Sequence, residues 1–368
     1  MSDGVYTVHC PSFMSLVLAT RGEVLRRPAR DPAALATDTR ATLADACFVA
    51  LRGERFDGHA FVADAAKAGA AMAIVEASPD EATLAALPEG FGLLKVASTR
   101  AALGAIAHAW RTSLRTLRVA AVTGSAGKTT TRRLLEGILS EAGRTHASPK
   151  SFNNDIGVPL TILSTPDDAA FLVAEIGMNR PGEILPLARM AEPEVAIVTL
   201  AGRAHLEGLG SVEAVATEKA SILGAVAQHG VGVVNGDNPP LAAALADRDE
   251  AGGLPGRVVR FGTGAACEYR LLSRRPLAAG EIGQELEIEI PREIAAREHG
   301  TDADTPPDRR HRLAIRMAGE HNARNALAAA AAAFEMGLPS TTIARGLAKV
   351  AASDMRLERL EIGAWTIY

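Results

Sequence analysis

Val119-Ala120-Ala121-Val122-Thr123-Gly124-Ser125-Ala126-Gly127-Lys128-Thr129-Thr130 decides the fold. An uninterrupted apolar strand runs into a glycine-rich turn, and a helix begins at the lysine. Backbone N–H groups at such a turn face a phosphate and the helix N-terminus adds positive potential. Lys128 supplies a point charge, and Thr129 offers a hydroxyl to a divalent cation. The pattern departs from the standard phosphate loop at one place, where Val122 stands in the position of its first glycine.

Outward from this turn, apolar runs recur at Val119 to Thr123, Phe171 to Ile176, Val195 to Leu200 and Val231 to Val234, separated by helical windows. Continuous apolar strands alternating with helices predict an α/β domain whose mostly parallel sheet is covered on both faces. Alternation at Glu285 to Ile290 and Leu313 to Met317 predicts an antiparallel extension, and the charged stretch Arg292 to Arg312, with Thr305-Pro306-Pro307, reads as a solvated loop. An Ala-rich helix follows over Asn322 to Met336, stopped by Gly337 and Pro339. Upstream, the strands Ala46 to Leu51 and Ala71 to Val75 flank the helix Phe61 to Lys67. The division is therefore residues 1–98, a small N-terminal α/β domain; 99–350, a central domain; and 351–368, the beginning of a further one.

Composition excludes several function classes. Hydrophobic residues at 48% and charged residues at 22% give material for real cores. The longest apolar run, Ala326 to Phe334, is far short of the roughly 20 residues of a spanning helix, which argues against membrane insertion. Lys+Arg 39 against Asp+Glu 43 leaves a net charge of -4, and aromatics are only 4%, so nucleic acid is not an expected partner. Three widely spaced cysteines, Cys10, Cys47 and Cys267, fit a reduced cytoplasm.

Other candidates are weaker as single residues. Glu175 ends an apolar strand, where a doubly wound sheet places ligands for Mg²⁺, although a glutamate there also serves as a cap. His205 follows the strand Val195 to Leu200 at an equivalent edge. Lys219 lies in a helix begun near Ser211, and its spacing alone reads as a solvated lysine. Asn153 and Asn154 are turn formers or orient a polar substrate. Asn322 reads as the N-cap of the Ala-rich helix, whereas Asn325, one turn in, needs a partner.

Taken together, these stretches resemble the Mur ligase family, ATP-dependent enzymes that add amino acids or a dipeptide to a UDP-linked muramyl peptide. The resemblance covers nearly the whole chain. Thr123 to Thr130 looks like the family's phosphate loop, with Gly124, Ser125, Ala126, Gly127, Lys128, Thr129 and Thr130 as its ATP contacts. Ser151-Phe152-Asn153-Asn154-Asp155-Ile156-Gly157-Val158-Pro159, Glu175-Ile176-Gly177-Met178 and Gly182-Glu183-Ile184 look like the branch that adds D-alanyl-D-alanine. The sister that adds the third stem residue has threonines where Asn153 and Asn154 stand.

The resemblance brings further roles. Ala204-His205-Leu206-Glu207-Gly208 is similar to a segment whose histidine joins a magnesium site, and Glu218-Lys219-Ala220 aligns with a lysine that is carbamylated. Carbamate formation needs a neutral amine and turns a cation into an oxygen ligand for Mg²⁺. Gly319-Glu320-His321-Asn322-Ala323-Arg324-Asn325 resembles the stretch whose asparagines face adenine, and Arg356 an arginine near the nucleotide phosphates. Thr37-Asp38-Thr39-Arg40 and Asp57-Gly58-His59 look like the uridine-nucleotide domain, with Thr39 and Arg40 as substrate contacts.

Family members continue beyond the equivalent of Tyr368 into an Asp-x-Tyr-Asn-Ala-Asn-Pro segment and a C-terminal Rossmann-like domain. The apolar ending Trp365-Thr366-Ile367-Tyr368 agrees with a chain cut at the start of that domain. The implied activity is phosphorylation of the UDP-N-acetylmuramoyl-tripeptide carboxylate by ATP, followed by attack of D-alanyl-D-alanine on the acyl phosphate, by a cytoplasmic monomer with two Mg²⁺ sites. Lys128 takes the β/γ phosphates, Thr129 and Glu175 one Mg²⁺, and His205 with carbamylated Lys219 the second. The alternatives are a non-catalytic binding fragment and the sister ligase. A folate polyglutamylating enzyme lacks the uridine-type domain, so Thr37 to Arg40 argue against it.

Overall fold

The computed structural model describes residues 8–53, 56–149, 152–204, 206–278, 281–299, 308–351, 360–362 and 365–367. His205 and Arg356 lie outside the described residues. The chain divides into two compact units, Met1–Thr116 with Phe152–Asp167, and Leu117–Ser151 with Asp168–Tyr368. These bounds differ from the division at 98/99. The helix after residue 98 packs in the first unit, and the chain returns there at Phe152.

The first unit is a five-stranded sheet, in the order β1-β5-β4-β3-β2 among the described residues. Its strands are β1 (Glu23–Arg26), β2 (Ala34–Ala36), β3 (Ala46–Val49), β4 (Met72–Val75) and β5 (Gly92–Lys95). Strands β2 to β5 run parallel and β1 closes one edge antiparallel. The helices are α1 (Phe13–Thr20), α2 (Val62–Lys67), α3 (Glu81–Ala86) and α4 (Thr99–Ser113). The core gathers Leu43, Phe48, Val62, Val75, Phe91 and Leu93.

The second unit carries a nine-stranded sheet. Its strands are β6 (Arg118–Thr123), β7 (Thr145–Ala147), β8 (Phe171–Glu175), β9 (Val195–Val198), β10 (Val231–Asn235), β11 (Arg257–Gly262), β12 (Tyr269–Pro276), β13 (Gln284–Glu289) and β14 (Arg310–Ile315), in the order β14-β13-β12-β11-β10-β9-β6-β8-β7. The sheet is parallel from β7 to β12, and β13 and β14 add the expected antiparallel extension. Every residue of β8 and β9 is buried, as two covered faces require.

Helices α5 (Lys128–Leu139) and α12 (Glu320–Glu335) pack together on this sheet. Leu134, Leu135, Ile138 and Leu139 form the inner stripe of α5. In α12, Ala326 through Phe334 are all buried, because methyl side chains let the helix lie close to both α5 and the sheet. The remaining helices are α6 (Gly157–Leu163, in the first unit), α7 (Ile184–Ala191), α8 (Leu206–Leu209), α9 (Val212–Ala220), α10 (Pro239–Glu250), α11 (Arg292–His299) and α13 (Ser340–Lys349). Strands β15 (Leu360–Ile362) and β16 (Trp365–Ile367) pair antiparallel with each other.

The expected solvated loop over Arg292 to Arg312 is corrected at its start. Arg292–His299 is helical, with Ile294 and Ala295 buried in the main core, so two apolar residues on one face outweigh four charged neighbours.

Candidate functional site

Strand β6 is flanked by β8 on one side and β9 on the other, so successive crossovers diverge at its C-terminal end. Open α/β sheets hold ligands in that crevice, and the turn Gly124 to Gly127 occupies it. Gly127 takes φ +84°, a left-handed conformation that glycine adopts without a Cβ penalty, and starts α5. A Cβ on Gly127 would lie 2.4 Å from Asn325 Oδ1, so the glycine also admits the carboxamide of α12.

Lys128 Nζ donates to the Gly124 carbonyl at 2.7 Å, folding the ammonium over its own loop. Thr129 donates its hydroxyl to Glu175 Oε2 at 2.9 Å. Glu175, the last residue of β8, is 2% exposed, and its N–H donates to Ser148 Oγ at 2.9 Å. The buried guanidinium of Arg132, one turn after Thr129, stands 3.9 Å from the same carboxylate and donates to Glu136 at 2.9 Å. The hydroxyl next to the loop lysine and the strand-end carboxylate are thus in direct hydrogen-bond contact.

The nearby cleft, of about 660 Å³, is lined by Ala126, Gly127 and Thr130 from the loop and by Asn322, Arg324 and Asn325 from α12. Both asparagines therefore share a wall with the glycine turn. The N-cap expectation for Asn322 is corrected: Gly319 holds that position, and Asn322 lies inside the first turn, donating to the Ala318 carbonyl at 2.7 Å.

Lys219 is not solvated. Near the end of α9 it is 1% exposed, and burial, then the Lys128 cation, bring its pKa down to about 7 against the opposing pull of Glu218. Glu218 accepts from Gly182 N at 2.9 Å and Ile184 N at 3.0 Å, which fixes α9 against the start of α7. Ser211 caps α9 as expected.

The substrate candidates lie in the first unit. Arg40, in the turn after β2, forks onto Asp38, with Nη2 2.6 Å from Oδ2, and this bond lowers the Asp38 pKa. Thr39 is half-buried beside it. Asn154 Oδ1 accepts from Ile156 N at 3.2 Å and Gly157 N at 2.8 Å, the turn-forming role, and Asn153 precedes it. Arg100 at the start of α4 reaches Asp155 at 2.5 Å and the Arg52 carbonyl at 3.1 Å. His59 Nδ1 lies 2.6 Å from Asp57, and its Nε2 accepts from Glu76 N at 2.8 Å.

The sequence reading missed Thr199, Asn235, Ser148 and Arg132. The polar run Asn235-Gly236-Asp237-Asn238 ending an apolar strand is the signal that would have found Asn235. Among the described residues, no three His, Cys, Asp or Glu side chains gather as a metal cluster. A magnesium ion here would instead draw on the Thr129 hydroxyl, the Glu175 carboxylate and substrate phosphates, the donor set it ordinarily takes.

Residues 122–333 match the Mur ligase middle domain, and residues 33–111 match the Mur ligase family catalytic domain. The chain belongs to the Mur ligase family. It is 34% identical over 327 residues to the UDP-N-acetylmuramoyl-tripeptide--D-alanyl-D-alanine ligase of Bacillus subtilis (strain 168), covering 89% of this chain and 64% of the relative. To the enzyme of that name from Escherichia coli (strain K12) it is 35% identical over 334 residues, covering 89% and 66%. Among solved structures, MurF from Acinetobacter baumannii superposes with a TM-score of 0.83 at 28% identity, over 98% of this chain and 72% of that one. The chain thus spans about two thirds or less of the length of these curated relatives. Among the described residues no helix is long and apolar enough to cross a membrane.

Proposed function

We propose that this chain carries the nucleotide and UDP-substrate sites of an ATP-dependent ligase that joins D-alanyl-D-alanine to UDP-N-acetylmuramoyl-tripeptide in peptidoglycan precursor synthesis. The observation that carries the reading is the single cleft in which Ala126, Gly127 and Thr130 face Asn322 and Asn325. A glycine turn at the sheet's switch point supplies phosphate amides, and carboxamides one helix away suit a purine edge.

In this reading, Gly124 to Thr130 hold the ATP phosphates and Lys128 neutralises the β/γ oxygens. Asn322 and Asn325 face the base, and Arg356 approaches the phosphates. Thr129 and Glu175 would hold one Mg²⁺, and His205 with carbamylated Lys219 would hold a second. Cations bound there would supply charge neutralisation for the transferring phosphoryl group. Lys219 suits its role because an amine with a pKa of about 7 is substantially neutral in the cytoplasm. Thr39 and Arg40 contact the UDP-substrate, and Asn153 and Asn154 orient its peptide. The acceptor carboxylate takes the γ-phosphoryl group, the dipeptide amine attacks the acyl carbon, and phosphate leaves. Such chemistry rests on positioning and charge neutralisation rather than on a protein nucleophile. Three buried thiols, Cys10, Cys47 and Cys267, suit a reduced cytoplasm, and the reading treats the protein as a monomer.

The test incubates residues 1–368 with MgATP, UDP-N-acetylmuramoyl-tripeptide and D-alanyl-D-alanine, and follows phosphate and pentapeptide. Release that requires all three substrates supports ligation. MgATP uptake without release leaves the narrower function of a binding fragment. Preference for a free diamino acid over the dipeptide would move the chain to the sister activity.

A further inference from the structure

Three buried side chains, Thr199, Asn235 and Asn238, brace the glycine turn; the first two also line the cleft, and none is among the phosphate and metal contacts assigned above. Thr199, just past β9, is 4% exposed. Its N–H donates to the Thr123 carbonyl at 3.0 Å, and its hydroxyl lies between the Ala126 carbonyl at 2.6 Å, the nearer acceptor, and the Thr123 carbonyl at 3.2 Å. The fit leaves no slack, since a Cβ on Gly124 would fall 1.9 Å from Thr199 Oγ1. Ser125 is tied to the same segment, donating from N to the Leu200 carbonyl at 2.6 Å and accepting from Gly202 N at 3.0 Å.

That segment is pinned in turn from β10. Asn235 Nδ2 donates to the Thr199 carbonyl at 2.8 Å, and Asn238 Nδ2 donates to the Ala201 carbonyl at 3.1 Å. Both asparagines are buried. The chain of bonds therefore runs from β10 through the end of β9 to the turn after β6.

We infer that Thr199 is a positioning residue for nucleotide binding, acting through the Ala126 peptide. In a trans peptide the C=O and the following N–H point in opposite directions. Holding the Ala126 oxygen against β9 aims the Gly127 N–H away from it, toward the cleft that Ala126 and Gly127 line. Without the hydroxyl, that oxygen loses its donor and is free to turn toward an arriving phosphate, where it would repel. The inference rests on the nucleotide reading above and adds a residue which that reading does not use.

Calorimetric titration of MgATP into residues 1–368 tests it, with wild type, Thr199→Val, Thr199→Ser and Lys128→Ala run in parallel. Thr199→Val should bind about tenfold more weakly, the scale of one buried hydrogen bond, and Thr199→Ser should return to within about threefold of wild type. Thermal unfolding without nucleotide checks that the variants are folded. If valine does not fold, Thr199→Ala removes the same hydroxyl without the added methyl. Equal MgATP affinity in wild type and the hydroxyl-free variant, with binding lost in Lys128→Ala, overturns the role of Thr199 and leaves the nucleotide reading standing. No MgATP uptake by the wild type overturns both.

Discussion

Thr129 and Glu175 meet across 2.9 Å, the hydroxyl beside the loop lysine donating to a carboxylate at the end of the next strand. Two hard oxygens held at this separation, one from α5 and one from β8, are the kind of ligands that the proposed magnesium site would draw on. Glu175→Gln should therefore raise the magnesium concentration needed for half-maximal ATP binding by about tenfold or more. ATP titrations at fixed magnesium levels check this, and an unchanged magnesium requirement would remove Glu175 from the site.

Lys219 gives a pH prediction whose sign follows from its surroundings. Its pKa falls from 10.5 to about 7 in the folded chain, by burial first and by Lys128 second. Between about pH 7 and 10.5 the unfolded chain holds a proton that the folded chain has released, so this group makes stability rise with pH through that window. Below pH 7 the amine is protonated in both states and the contribution is flat. In CO₂-free buffer, the urea midpoint of wild type should rise between pH 7 and 9 relative to that of Lys219→Met.

The same neutral amine is the form that adds CO₂. Wild type equilibrated with ¹³C-bicarbonate at pH 8 should show a carbamate carbon resonance that is missing from Lys219→Met. An identical spectrum in the variant would place any carbamate elsewhere.

Gly127→Ala tests the approach of α12 to the turn. The alanine has to hold φ +84°, a cost of ~1–2 kcal/mol, and its Cβ would press on Asn325 Oδ1. Nucleotide affinity and the thermal midpoint should both fall. Gly127→Ala with Asn325→Ala should recover less than half of the loss in midpoint, because removing the carboxamide relieves the clash and not the backbone strain.

A stability determinant lies at the other end of α12. Glu335 is 2% exposed in its side chain, accepts from Tyr269 Oη at 2.8 Å, and pairs with Arg257 at 3.1 Å. Glu335→Ala leaves a buried phenol without its acceptor and the half-exposed Arg257 with Glu293 alone, and should cost about 2 kcal/mol in urea unfolding. Tyr269→Phe should cost about 1 kcal/mol.

The elements built from local grammar were legible in the sequence. Strand β6, its glycine turn and α5 follow from apolar continuity and from glycines at fixed offsets, and the parallel order follows from covered strands such as β8 and β9. What escaped depends on contacts distant in sequence. The burial of Lys219 is set by the packing of α9, and nothing in Glu218-Lys219-Ala220 announces it. Thr199 reads as an ordinary strand end until the Ala126 carbonyl is found opposite it. The charge of Arg292 to Arg312 hid the short helix that two apolar residues dock, and the grouping of Phe152–Asp167 with the first unit carries no local signature.

The most direct measurement is calorimetric titration of ATP into residues 1–368, with and without magnesium, for wild type and Lys128→Ala. The account expects one site that requires magnesium and weakens by about tenfold or more when the loop ammonium is removed. Binding that ignores magnesium, or that persists unchanged in Lys128→Ala, would contradict it.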